Sequence, residues 1–223
     1  MMGYYVDIVF CVDKSNNHII SQLADTIDIF CEGFYERMEE EDRNVDELRI
    51  KVIAYGDLLQ SSFALSEFYV YNDNIQKSEL FDFCHSIKCE TLQETETVDA
   101  LEALASALNS EWTNKGARRR HIIIMLNQHI CSVLGDHKAS VYYPDNMPVD
   151  LHQLTDRWEG TEATSRNAYQ PRAGRLMAIV PNADPWTKLQ AWNRSWPAFI
   201  NSTQGFADIK GLIQEFADLG FCN

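Results

Sequence analysis

The segment YYVDIVFCV, residues 4–12, is an almost continuous apolar run rich in aromatic and β-branched residues. A run of this length is typical of a strand buried on both faces of a parallel sheet. The polar sequence DKSNN follows at residues 13–17, and apolar residues then recur every three or four positions from Ile19 to Met38. That spacing predicts an amphipathic helix. Three polar residues could cap its first turn: Ser15, Asn16 and Asn17.

Strands and helices are predicted to alternate along the rest of the chain. Apolar runs of strand length occur at residues 48–56, 61–71, 121–126, 175–181 and 197–202. The run at residues 61–71 is interpreted as an edge strand that is broken near Leu65 to Glu67. Helical patterns occur at residues 78–87, 98–108, 184–192 and 206–219. This alternation favours one doubly wound α/β domain over residues 1–223, with a mostly parallel, Rossmann-like sheet flanked by helices.

One long stretch, residues 135–174, shows neither pattern clearly. A connection of about forty residues without strong elements is unusual in a compact domain and generally indicates a functional or partly ordered loop. Within it, Leu151, Leu154 and Trp158 have the spacing of one face of a short helix. We interpret the stretch as a loop insertion in the domain.

The composition indicates a globular protein with an acidic surface. Of its 223 residues, 45% are hydrophobic and 23% are charged, and the formal net charge at pH 7 is −14. A surface of this sign repels phosphate backbones and anionic lipids, so neither a nucleic acid nor a membrane is expected as a partner. No apolar run approaches the roughly 20 residues that span a bilayer, and the start of the sequence lacks the basic segment of a signal peptide. We therefore expect a cytoplasmic protein.

The six cysteines are scattered along the chain, as reduced thiols of a cytoplasmic protein commonly are. The sequence CHSIKC, with Cys84, His85 and Cys89, offers metal-binding residue types. No second ligand pair with matching spacing accompanies them, so a zinc site is not predicted there.

The polar loop after the first strand lies where open α/β sheets bind their ligands, beyond the carboxyl ends of the strands. The sequence contains no GxGxxG or GxxxxGK[ST] phosphate loop and no GxSxG nucleophile elbow. Asp13 could instead act as the nucleophile of a metal-dependent or phosphoaspartyl hydrolase, which would need a second acid nearby. Asp57, after the second predicted strand, is the other acid at a strand end, and its position suits a turn better. A hydrolase is therefore the alternative hypothesis.

Several segments resemble the von Willebrand factor A (vWA) domain family. VDKSNN, residues 12–17, is similar to the DxSxS metal loop of that family, and TETVDAL, residues 95–101, is similar to its second loop, TxTxxAL. RRRHIIIMLNQ, residues 118–128, resembles the strand that ends in Thr-Asp. RLMAIVPNADPW, residues 175–186, and YPDNMPVDLHQLTDRWEG, residues 143–160, resemble a bacterial group associated with tellurium-resistance and phage-conflict systems. The resemblance covers nearly the whole chain.

The resemblance implies a degenerate metal-ion-dependent adhesion site. In the family, a carboxylate, hydroxyl groups and waters hold Mg²⁺, which prefers about six oxygen ligands. The matching positions here are Asp13, Ser15, Asn17 and Thr95. Lys14 brings a positive charge near this loop, at a position that can face solvent, and Asn127 and Gln128 stand where the family has its Thr-Asp pair. Loss of that acid weakens cation binding, so a Mg²⁺ site and a purely structural domain without metal both remain hypotheses.

The function that the resemblance implies is recognition of another protein by a non-catalytic adaptor. Members of the bacterial group are often encoded with a protein kinase and a protein phosphatase, so either enzyme is an expected partner. Aromatic side chains in long loops often carry much of the binding energy of an interface. Tyr142, Tyr143 and Trp158 are therefore predicted to contact the partner.

Overall fold

The computed structural model describes residues 3–92, 97–161 and 169–200, together with Gly211. Its strands, in chain order, are β1 (Tyr4–Asp13), β2 (Val45–Tyr55), β3 (Ala64–Leu65), β4 (Tyr69–Val70), β5 (Thr97–Val98), β6 (Arg119–Leu126), β7 (Ile130–Cys131), β8 (Gly174–Pro181) and β9 (Ser195–Ile200). Its helices are α1 (Asn17–Ser21), α2 (Leu23–Glu40), α3 (Asn74–Ser86), α4 (Ala100–Leu108), α5 (Leu151–Glu159) and α6 (Trp186–Leu189). The helix predicted at residues 206–219 lies outside the described residues, apart from Gly211.

Five parallel strands form the centre of the main sheet, in the order β2-β1-β6-β8-β9. The two-residue strands β3 and β4 pair with β2 in the antiparallel sense. β5 and β7 form a separate parallel pair. A mostly parallel sheet flanked by helices confirms the predicted doubly wound α/β class.

The direction in which the chain crosses the sheet reverses between β1 and β6. From β1 the chain proceeds to β2 on one side, and it later places β6 on the other side of β1. At such a reversal the neighbouring loops separate and open a crevice beyond the carboxyl ends of the strands. The loops that follow Asp13 and Leu126 therefore lie at the position where this fold binds ligands.

The apolar run of β1 is explained by its burial on both faces. Ile8 and Phe10 pack in one core with α2, whereas Val9 and Cys11 pack in the other core with α4. Because successive side chains of a strand point to opposite faces, a strand covered on both sides needs apolar residues at every position.

The long helix expected after β1 is divided into α1 and α2 at Gln22, whose backbone (φ −111°, ψ 8°) lies outside the helical region. The edge strand predicted at residues 61–71 is broken between β3 and β4, as expected near Leu65 to Glu67. Ser66, between them, donates its N–H to the Val52 carbonyl oxygen at 3.0 Å and accepts the Val52 N–H on its side-chain oxygen at 2.9 Å.

Among the residues that the structure describes, no helix combines the length and the apolar character needed to cross a membrane.

Candidate functional site at the carboxyl ends of the strands

Asp13, the last residue of β1, is fully buried and each of its carboxylate oxygens has a partner. Oδ1 accepts the backbone N–H of Ser15 at 3.0 Å and also accepts the Ser15 hydroxyl. Oδ2 lies 2.7 Å from Nδ1 of His129, which follows the neighbouring strand β6. Since a carboxylate only accepts hydrogen bonds, Nδ1 of His129 carries the proton in this contact.

The arrangement of Ser15, His129 and Asp13 differs from that of a nucleophilic triad. Ser15 Oγ lies 3.0 Å from Nδ1 of His129, the same nitrogen that contacts Asp13. In a triad, one imidazole nitrogen takes the proton of the serine while the other nitrogen binds the acid. Here both contacts are made to one nitrogen, so this geometry does not activate the Ser15 hydroxyl.

Of the three predicted caps of the first helix, the structure selects Asn16. Asn16 is the N-cap of α1, because its side-chain oxygen accepts the N–H groups of His18 and Ile19 at 2.9 and 3.2 Å. The Asn16 amide nitrogen also donates to the side-chain oxygen of Gln128. Asn17, predicted as a metal ligand, is exposed as the first residue of α1. Thr95, the other ligand taken from the second loop, lies outside the described residues.

Lys14 is buried and does not face solvent. Its ammonium group lies 2.9 Å from a carboxylate oxygen of Glu90. It also donates to the Ser61 hydroxyl at 2.6 Å and to the Ser62 carbonyl oxygen at 2.8 Å. The charge of Lys14 is therefore compensated by these partners, which hold it over the connection between β2 and β3.

Among the residues that the structure describes, the oxygens around Asp13 already have protein partners. Mg²⁺ needs about six oxygen ligands in near-octahedral geometry. The Asp13 carboxylate is occupied by Ser15 and His129, and the Gln128 amide oxygen is used by Asn16. A cation could reach Asp13 only if the His129 imidazole moved away.

A second group of polar side chains lies at the same edge of the sheet and consists of Asp57, Asp99 and His137. Nδ1 of His137 lies 2.9 Å from Oδ2 of Asp99 and 3.6 Å from Oδ1 of Asp57. Three separate segments supply these residues: the turn after β2, the N-cap of α4 and the loop after β7.

Further hydrogen bonds orient both carboxylates of this group. Oδ1 of Asp57 accepts the Leu59 N–H at 2.8 Å, which closes the turn that the sequence predicted for this residue. Oδ1 of Asp99 accepts the Ser132 hydroxyl at 2.6 Å, and its Oδ2 accepts the Leu58 N–H at 2.7 Å.

Sequence analysis did not identify this second group. Asp57 was recognised as an acid at a strand end, but only as a turn residue. Asp99 occupies the N-cap position of α4, where an aspartate is common without any further role. His137 lies in the stretch that showed no clear pattern, so no sequence signal connected it with either acid.

Glu102, one turn along α4 from Asp99, is fully buried beside this group. Its Oε1 accepts the Gly135 N–H at 2.8 Å and the Tyr143 hydroxyl at 3.3 Å, whereas Oε2 has no hydrogen-bond partner in the described part of the chain. Burial raises the pKa of Glu102 to about 7; the Gly135 N–H opposes this shift and the charge of Asp99 adds to it. Burial lowers the pKa of His137, but the hydrogen bond to Asp99 and the surrounding carboxylates outweigh that effect and raise it overall.

The loop aromatics that the sequence proposed as partner contacts differ in their exposure. Trp158 is 0% exposed: its ring stacks on Trp192 at a centroid distance of 5.4 Å, and its Nε1 donates to the Asn193 carbonyl oxygen at 3.0 Å. The structure therefore corrects that assignment, because a side chain without exposed surface cannot contact a partner. Tyr143 is half-buried against Glu102, whereas Tyr142 is 43% exposed.

Comparisons with known proteins establish the fold. No family model and no curated protein matches the sequence. Proximal thread matrix protein 1 from the mussel byssus is similar in structure, with a TM-score of 0.55 and 10% identity over 97% of this chain and 47% of that one. The open conformation of the pilus adhesin SpaC from Lactobacillus rhamnosus GG gives a TM-score of 0.59 and 8% identity over 99% of this chain and 30% of that one.

A third similar structure is the von Willebrand factor type A protein from Catenulispora acidiphila, with a TM-score of 0.52 and 11% identity over 98% of this chain and 42% of that one. The chain thus spans less than half the length of each of these three structures. Its described architecture, a mostly parallel sheet whose order reverses at β1, agrees with this likeness. The fold of this chain is therefore vWA-like.

Proposed function

We propose that this chain is a non-catalytic protein-recognition module whose contact surface lies at the carboxyl ends of the parallel strands. The observation that carries the proposal is the distribution of exposed apolar side chains. Of the eight large apolar side chains exposed in the described part of the chain, six belong to the turn that follows β2 and to the segment that follows β6 in the chain. These six, here called the apical patch, are Leu59, Ile130, Val133, Val141, Tyr142 and Val149. Exposed apolar patches commonly mark interaction sites.

Contacts between the loops support the idea of one shared surface. The Ser140 hydroxyl donates to the Leu58 carbonyl oxygen, which ties the loop after β7 to the turn after β2. Tyr142 donates its N–H to Ser140 Oγ at 3.1 Å, so its backbone is attached to the same anchor. Rigid attachment lowers the entropic cost of binding, because fewer side chains and loops must be ordered when a partner arrives.

We further propose that the module is an adaptor in a bacterial stress-response or phage-defence system. The sequence segments that resemble the tellurium-resistance and conflict-associated vWA group support this assignment. A protein kinase or a protein phosphatase encoded in the same system is the first partner to test.

The alternative function, a hydrolase that uses Asp13, has less support from the site. A nucleophilic carboxylate must present an open oxygen to its substrate, whereas Asp13 is fully buried and both of its oxygens are engaged. A phosphatase assay distinguishes the two functions. Mg²⁺-dependent release of phosphate that is abolished in Asp13→Asn would favour the hydrolase, and recognition without turnover predicts no such release.

Substitutions in the apical patch should weaken partner binding without unfolding the protein. We expect Val141→Asp combined with Tyr142→Ala to lower the affinity for the native partner at least about tenfold, because buried aromatic contacts often dominate an interface. Val141 is 91% exposed, so an aspartate there costs little stability in the free protein. Co-purification from the native cell identifies the partner, and titration calorimetry measures the loss.

The matched control is Ile75→Asp on α3, a residue that is 72% exposed but lies outside the apical patch. It should leave the affinity unchanged. Equal binding by the wild type and the doubly substituted variant would contradict the proposed surface. Failure to recover any stoichiometric partner would count against recognition itself.

A second prediction concerns magnesium at Asp13. We expect millimolar Mg²⁺ to leave the melting temperature of the wild type unchanged, because His129 occupies the Asp13 carboxylate. His129→Ala should destabilise the protein by about 1–3 kcal/mol, since it leaves a buried acceptor without its donor. Mg²⁺ should then recover part of that loss, and the recovery should disappear when Asp13→Ala is added. Thermal unfolding with and without the ion measures both effects, with the exposed His85→Ala as control.

Binding of Mg²⁺ to the wild type that depends on Asp13 would contradict this prediction. It would show that the adhesion-type metal site operates with His129 present.

A further inference from the structure

We propose that Asp57, Asp99 and His137 bind a divalent transition-metal ion, and that Zn²⁺ fits their donor set best. One imidazole nitrogen and two carboxylate oxygens from these residues all lie within 4.8 Å of one another. This group is distinct from the adhesion-type loop at Asp13, whose carboxylate is held by Ser15 and His129. The metal site itself does not depend on the recognition role proposed above.

The distances agree with a shared metal. In a tetrahedral zinc site with bonds of about 2.0–2.2 Å, neighbouring ligand atoms are roughly 3.3–3.6 Å apart. The distances from His137 Nδ1 to Asp99 and to Asp57, 2.9 and 3.6 Å, lie close to this range. Small side-chain adjustments therefore suffice to place one ion among the three atoms.

The donor types favour a transition metal over magnesium. Imidazole is a common ligand of Zn²⁺ and other first-row transition ions, whereas Mg²⁺ prefers oxygen and retains several waters. Three protein ligands also leave a fourth tetrahedral position for water or for a ligand from outside.

Glu102 gives an independent indication that a positive charge belongs here. This fully buried side chain belongs to α4, which begins after Asp99. It accepts the Gly135 N–H from the loop that supplies His137. Within the described residues its Oε2 has no hydrogen-bond partner, although buried polar atoms nearly always have one. A metal ion with a bound water would provide both a compensating charge and a donor for this oxygen.

The hydrogen bonds around the group supply the outer support that metal ligands usually have. The Ser132 hydroxyl and the Leu58 N–H hold Asp99, and the Leu59 N–H holds Asp57. Such partners fix the orientation of the ligands and strengthen metal binding. A bound ion would join the turn after β2, the start of α4 and the loop that carries Val141 and Tyr142. This last consequence, unlike the metal site, rests on the recognition role.

The test measures metal uptake by the whole chain. Protein treated with EDTA is dialysed separately against Zn²⁺, Mn²⁺ and Mg²⁺, and bound metal is determined by elemental analysis. We expect one equivalent of Zn²⁺ in the wild type and at least about tenfold weaker binding in His137→Gln and in Asp57→Asn. Co²⁺ in place of Zn²⁺ should give the visible spectrum of a nitrogen- and oxygen-ligated ion, without a sulfur-to-metal charge-transfer band.

Matched variants locate the ion. His85→Gln and Cys89→Ser, which disrupt the CHSIKC segment, should bind Zn²⁺ as the wild type does. The proposal is overturned if the wild type takes up no Zn²⁺, or if His137→Gln and Asp57→Asn bind Zn²⁺ as tightly as the wild type. It is also overturned if His129→Gln abolishes binding while His137→Gln and Asp57→Asn retain it. Circular dichroism checks that each variant is folded, and the Co²⁺ spectrum of the wild type decides between nitrogen and sulfur ligands if one variant fails to fold.

Discussion

Replacing Trp158 with alanine is expected to lower the free energy of unfolding by about 3–5 kcal/mol, the usual cost of truncating a large buried aromatic side chain. Trp158 is completely buried on α5, where it stacks on Trp192 and donates a hydrogen bond to the Asn193 carbonyl oxygen. Its removal therefore leaves a cavity and an unsatisfied carbonyl group. Urea unfolding followed by circular dichroism measures the change.

Tyr142→Ala is the matched control, because it removes an aromatic ring from the same insertion at an exposed position. Its effect on stability should stay within about 0.5 kcal/mol, as for most surface substitutions. If Trp158→Ala instead kept its stability and lost only partner binding, the sequence-based assignment of Trp158 as a partner contact would be restored.

Glu102→Gln is expected to change how the stability of the metal-free protein depends on pH. Burial raises the pKa of Glu102 from 4.5 to about 7 in the folded state. Folding therefore favours the protonated acid. The resulting stabilisation of the folded state is complete below pH 4.5 and is lost as the pH rises through about 7. The loss is on the order of 3 kcal/mol, since a tenfold change in proton affinity is worth about 1.4 kcal/mol.

Glutamine has no proton to lose, so the variant should gain stability relative to the wild type by about that amount between pH 4.5 and pH 8. Urea unfolding across this range, in EDTA, tests the prediction. Asp145→Asn is a suitable control, because this exposed acid in the loop that contacts Glu102 should leave the pH profile unchanged. If the free energy of unfolding changed with pH in the same way in the wild type and in Glu102→Gln, a buried acid with a raised pKa at this position would be contradicted.

The elements that were predicted correctly are those whose pattern is local. β1 and β6 are unbroken apolar runs because both of their faces are covered, and a short run of sequence contains that information. The division of the long helix at Gln22 was missed, whereas the break of the edge strand near Leu65 to Glu67 was predicted. The Ser66 break depends on hydrogen bonds to Val52, a residue distant in sequence.

In the candidate sites, too, contacts within one loop follow from the sequence, whereas contacts between distant residues do not. The contact of Ser15 with Asp13 lies within one loop and follows from the DKSNN sequence. The contact of His129 with Asp13 joins residues 116 positions apart, and periodicity carries no information about such a pair. The group of Asp57, Asp99 and His137 depends in the same way on three loops that meet only after the sheet has formed.

By itself, the sequence determined the doubly wound α/β class, the position of the polar loop after β1 and the acidic character of the surface. These properties follow from local periodicity and composition, which do not require knowledge of distant neighbours. Only the tertiary structure decided that His129 occupies Asp13, that Trp158 belongs to the core and that Asp57, Asp99 and His137 converge. The parallel order of the strands is the physical reason, because it gathers loops from remote parts of the chain at one edge of the sheet.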